Sequence, residues 1–158
     1  LSTSSLILTI IVIQLVGILG AYLFSRLAKR IGNLTALKIT IFIWTAASLS
    51  AYYLDKDDPN VQLKFYVISG FIGLVLGAIQ TLSRSTYSKL LPENTLDPTT
   101  YFSFFDVTEK IAIVWGTFIF GLAIAITDSM RLSILLLCLF FVISFIILSM
   151  MKKTKYVK

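Results

Sequence analysis

The chain has 158 residues, 57% of them hydrophobic, a formal net charge of +6 and a mean hydropathy of +0.89. Soluble domains run at roughly 45–50% apolar, so the composition argues against an ordinary soluble domain. The absence of histidine removes the commonest metal ligand and proton shuttle, and the single cysteine, Cys138, excludes an internal disulfide.

The apolar residues are gathered into runs near 5–27, 34–54, 65–88, 103–127 and 131–151. Crossing ~30 Å of hydrocarbon takes about 20 apolar residues in a helix, and each run meets that length. The runs do not alternate strictly, and in lipid each backbone polar group must be satisfied within its own segment. Helices are therefore expected rather than barrel strands. A soluble helical domain would need polar outer faces. From Leu132 to Met151 there is no charge, and only Ser133, Cys138, Ser144 and Ser149 are polar or weakly polar. The expected fold is an all-α, polytopic membrane helix bundle of about five transmembrane helices. It forms a single membrane domain over 1–158 that ends in a basic tail at 152–158.

The first span carries Gly17 and Gly20, small residues that let helices approach closely. The connection after it holds Arg26, Lys29, Arg30 and Lys38 and no acid. The second span, like the first and the fifth, is nearly free of ionisable groups inside. The second connection sets Asp55, Asp57 and Asp58 against Lys56 and Lys64. Short cytoplasmic loops are enriched in Lys and Arg. The first connection, the third and the C-terminal tail are thus expected inside, and the second and fourth outside. The tail, with Lys152, Lys153, Lys155 and Lys158, reads as a positive-inside anchor in preference to a nucleic-acid or lipid patch. Five spans with the C-terminus inside place Leu1 outside. That start, which lacks a Met and a basic leader, is expected of a chain cut after an earlier helix.

The third span carries Gly70, Gly73 and Gly77, with Gly73 and Gly77 in a small-xxx-small pattern, and then Gln80, Arg84 and Tyr87. Gln80 and Arg84 are four apart and share a helix face, which Tyr87 continues. The fourth span opens with Asp106, Glu109 and Lys110, and Gly116 follows as a packing position. A charge at membrane depth costs from ~3 to more than ~10 kcal/mol, so such groups face protein or a water-filled path, or snorkel to the headgroups. Spans three and four are consecutive and antiparallel, so the end of one lies level with the start of the other. Arg84 is expected to pair with Asp106 or Glu109. Gln80, Arg84 and Tyr87 are candidates for a substrate path, and Asp106, Glu109 and Lys110 for gate or coupling ion pairs. No phosphate-cradling loop, metal-ligand cluster or nucleophile–base motif is present. Neither an enzyme nor a bound cofactor or metal is expected.

Two stretches resemble a known family. Gly20 to Gly32, with Arg26, Lys29, Arg30 and Gly32, resembles the cytoplasmic loop signature of the major facilitator superfamily. In that signature a glycine, an Asp-Arg pair and a second glycine close a tight turn. Arg30 and Gly32 match; Ser25 replaces the first glycine and Lys29 the acid, so the acid's role does not carry over. Gly77 to Ser85, Leu91-Pro92 and Tyr101 to Lys110 are similar to one branch of that superfamily. The branch comprises bacterial permeases related to fungal autophagy-linked vacuolar amino-acid effluxers. The resemblance implies a twelve-helix transporter of two six-helix halves, with these spans as helices eight to twelve. It also implies a missing N-terminal half, a small-molecule solute, a coupling proton, and residence in a bacterial inner membrane with a cytoplasmic C-terminus. Lipid is the expected surrounding, and no nucleic acid is expected as a partner. The rival expectations are a non-transporting membrane scaffold on the same fold and, less well supported, a membrane-embedded enzyme.

Overall fold

A computed structural model describes residues 3–54, 59–92 and 97–151. Five helices account for nearly all of them: α1 (Thr3–Ile31), α2 (Asn33–Tyr52), α3 (Val61–Leu90), α4 (Pro98–Thr127) and α5 (Met130–Met150). All five are long and apolar enough to cross a membrane. The fold is an all-α bundle, and the chain is a multi-pass membrane protein. The basic tail at 152–158 and the acids of the second connection lie outside the described residues.

Among the described residues, several helix ends have a local cause. α1 and α2 are separated by Gly32 alone, at φ 88° and ψ 151°, a conformation essentially restricted to glycine. Its N–H still donates to the Ala28 carbonyl and its own carbonyl accepts from Ala36, so both helix ends remain satisfied across the break. α4 begins at Pro98, whose missing N–H costs nothing in the first turn. Asp97 caps that helix by accepting from the Thr100 N–H at 3.3 Å and from the Thr100 hydroxyl. At the far end, Asp128 adopts a left-handed conformation, φ 51°, and Ser129 caps α5 through the Leu132 N–H. Those two residues make the whole α4–α5 turn.

The bundle is built around α3. α1 and α2 both lie against it, α5 lies on the far side of α2, and among the described residues α4 comes close at backbone level to α5 alone. Phe24 and Ala28 of α1, Ala36 and Leu37 of α2, and Ala78 and Leu82 of α3 form one buried cluster at one end of the bundle. Hydroxyls inside the helices are satisfied locally, as lipid-embedded structure demands. Thr40 donates to the Ala36 carbonyl and Thr86 to that of Leu82.

The α1–α3 crossing is close enough to bring backbone against backbone. A Cβ placed on Gly77 would lie 1.9 Å from the Gly17 carbonyl oxygen, and one on Gly20 would lie 1.9 Å from that of Leu74. A Cβ on Gly73 would lie 2.7 Å from the Ile13 carbonyl oxygen. Gly73 and Gly77 thus sit in a tight helix crossing. Gly70 and Gly116 do not: nothing lies within 4 Å of a Cβ built on either. Neither position meets a neighbouring helix within this chain. α4 presents no buried residue at all.

Candidate functional site

The end of the bundle that carries Gly32, Arg84 and Asp106 is rich in cations and is called the basic end below. Here α3 finishes and α4 starts. The two helices make no backbone-level approach among the described residues, and side chains span the gap between them. The Arg84 guanidinium donates to an Asp106 carboxylate oxygen, an ion pair in which the side chains are 55% and 49% exposed. The guanidinium also lies 6.0 Å from the Phe102 ring centroid and 5.9 Å from that of Phe105. These rings limit the directions the planar fork can take while leaving one side of it open.

That open side is a cleft of about 500 Å³ lined by Gln80, Thr81, Arg84, Ser85, Ser88 and Phe102. Gln80 and Arg84 share its wall, one turn apart. Tyr87 does not line it. Its ring turns towards α4, 4.9 Å from Phe105 and 5.9 Å from Phe102, and its hydroxyl donates to the Tyr101 carbonyl at 3.0 Å. It braces α4 at a fixed distance instead of continuing the Gln80–Arg84 face. Of the two acids considered for Arg84, Asp106 is the one it meets. Glu109 and Lys110 lie further along α4 and join no ion pair among the described residues. Among the described residues, no group of three side chains is placed to hold a metal ion.

The loop residues line a second, open depression. Arg26, Lys29 and Arg30 border it with Leu23 and Leu27, and the Arg26 guanidinium lies 4.7 Å over the Tyr22 ring. Gly32 closes the turn beneath them. Sequence reasoning overlooked Asn33, which is buried and hydrogen-bonded to Ser85 at 3.0 Å and to Lys89 at 3.1 Å. The available signal was its position: a polar residue that opens an otherwise apolar helix directly after a turn glycine.

The family model described as vacuole effluxer Atg22 like matches residues 1–157. The chain belongs to this family. One relative, described as an uncharacterized MFS-type transporter, YxiO of Bacillus subtilis, is 26% identical over 149 residues, covering 94% of this chain and 33% of the relative. Autophagy-related protein 22 of Vanderwaltozyma polyspora is 32% identical over 143 residues, covering 87% of this chain and 27% of the relative. The protein of the same name from Kluyveromyces lactis is 29% identical over 146 residues, covering 89% of this chain and 29% of the relative. The chain therefore spans about a third of the length of the relatives it matches. No solved structure matches it. The Atg22-like family is one of membrane transporters, and the resemblance read from the loop and from the third and fourth spans is correct.

Proposed function

We propose that this chain is the C-terminal part of a facilitator-type permease, helices eight to twelve of twelve, that moves small solutes by secondary active transport. The missing N-terminal half would face the cleft, and the two halves would rock to open it to alternate sides. Arg84 and Gln80 line the solute path in this reading, and Asp106 is the gate partner that a solute anion displaces. Amino acids are the substrate class to test first, in the direction of efflux, with a proton as the coupling ion. The basic end is cytoplasmic, so the C-terminus is too, and the membrane is a bacterial inner membrane.

The observation that carries this reading is the half-exposed Arg84–Asp106 pair bordering a polar cleft between two helices that do not touch through their backbones. In lipid such exposure would cost several kcal/mol, which favours a cleft that faces water or the absent half over one that faces hydrocarbon; Gln80 beside Arg84 gains nothing from snorkelling to the headgroups. A scaffold would have no use for a polar recess there.

The test is flux of a labelled amino-acid mixture in vesicles that contain the full-length parent, with and without a proton gradient. Gradient-dependent flux that disappears in Arg84→Ala supports the proposal. Folded protein with no flux of any amino acid removes the substrate assignment and brings other anionic solutes, or the scaffold, forward.

A further inference from the structure

Asn33 is the first residue of α2 and is 3% exposed. Its side-chain amide donates to Ser85 Oγ at 3.0 Å, and its side-chain carbonyl accepts from Lys89 Nζ at 3.1 Å. Both partners belong to α3, four residues apart, and so share one face. One buried side chain thus grips two successive turns of the neighbouring helix. Turning α3 by a single residue, about 100°, would break both bonds. The grip therefore fixes the rotation of α3 as well as its distance from α2.

Arg84 and Ser88 are the residues immediately before these two partners. They too are four apart, and both line the cleft. Ser85 itself also borders the cleft, so the gripped face adjoins the cleft face on the same two turns of helix, with Arg84 and Ser88 each one residue, about 100°, round from a gripped position. Gly32 supplies the geometry, because its backbone conformation is what aims the start of α2 at α3. We infer that Asn33 is a positioning residue for the solute path. Through Ser85 and Lys89 it holds α3 at the rotation that presents Arg84 and Ser88 to the cleft and lets Arg84 meet Asp106. The inference rests on the proposal that Arg84 lines that path.

The experiment uses the full-length parent in a cysteine-free background with Ser88→Cys added, reconstituted in vesicles. It reads two quantities: the rate at which a water-soluble thiol reagent labels that position, and the flux of the labelled amino-acid mixture. Asn33→Leu removes both bonds. It is expected to change the labelling rate and to lower flux about tenfold, the scale of a buried hydrogen bond lost. Asn33→Asp still accepts from Lys89 and from the Ser85 hydroxyl, and is expected to keep both readouts near parental values.

An unchanged labelling rate in Asn33→Leu overturns the inference, whatever the flux. So does parental flux in Asn33→Leu alongside lost flux in Arg84→Ala, an outcome that leaves the path assignment standing. Parental flux in Arg84→Ala overturns the path assignment instead, and the labelling rate then still decides whether Asn33 sets the rotation of α3. A purely structural Asn33 would lower yield without altering the labelling of folded protein. If Asn33→Leu does not accumulate in membranes, Asn33→Ala, which also lacks both bonds and places no larger side chain in the site, is read in the same way.

Discussion

Gly77→Ala should do more damage than its one carbon implies. The added Cβ would stand 1.9 Å from the Gly17 carbonyl oxygen, whereas carbon atoms come to rest at about 3.5–4.0 Å from a neighbour. The obstacle is backbone, which has no rotamer to change. α1 and α3 would have to part by roughly 1.5 Å, and a gap of only 0.5–1 Å already forfeits about a quarter to a half of a contact's attraction. The loss extends along the crossing, because a Cβ on Gly20 already finds Leu74 backbone at 1.9 Å and one on Gly73 finds Ile13 backbone at 2.7 Å. Between helices in lipid there is no hydrophobic term to offset lost packing. Overpacking commonly costs about 1–3 kcal/mol, and a backbone clash belongs at the upper end, near 3 kcal/mol. Gly70→Ala is the control, since its Cβ meets nothing within 4 Å in this chain. The assay is the thermal midpoint of the full-length protein in one detergent at one scan rate, because membrane proteins seldom unfold reversibly. Gly77→Ala should melt clearly below the parent and Gly70→Ala close to it. Equal midpoints for the two variants would refute the crossing as described.

Gly32→Ala forces a Cβ into a conformation reserved for glycine; at about 1–3 kcal/mol, the same melting assay should show a loss that Ser25→Ala does not. Arg84 and Asp106 are half exposed, so breaking the pair should change stability by no more than about 1 kcal/mol. Asp106→Asn should therefore melt like the parent while its flux in vesicles falls, and a matched loss of both would make the pair structural. Asp97, outside the membrane span, is held below the ordinary carboxylate range, first by the Thr100 hydroxyl and then by the Thr100 N–H. A depressed native value means that the cap contributes fully above the unfolded-state value and is lost as pH falls through the native one. Amide exchange at Thr100, corrected for its intrinsic rate, should accelerate over that acid range, and Asp97→Asn should flatten the dependence.

The five spans were legible because hydrocarbon thickness imposes a length that composition alone can satisfy. The observed helices run past the expected ends, as with α3, expected near 65–88 and found at Val61–Leu90. Helices continue into the headgroup region, where polarity returns but backbone bonding does not stop. Arg84 with Asp106 was legible for a related reason. Charges at depth are few, and antiparallel neighbours bring particular ends level. What sequence could not supply was the relative rotation of helices. Gly70, Gly73 and Gly77 look alike in the sequence, yet only the last two meet α1. Tyr87 shares a nominal face with Gln80 and Arg84, yet aromatic contacts with Phe102 and Phe105 draw it towards α4. Asn33 escaped notice because a polar residue beside a turn reads as solvated, and its burial depends on a partner helix 52 residues away in sequence.

The central claim, that the cleft beside Arg84 is the solute path, is tested most directly by protection. Gln80→Cys in a cysteine-free full-length background is labelled with a water-soluble thiol reagent, with and without a solute the protein transports. The account predicts slower labelling as solute saturates the protein, and loss of that protection when Arg84→Ala is added. An identical labelling rate with and without solute, in protein that still transports it, would contradict the account.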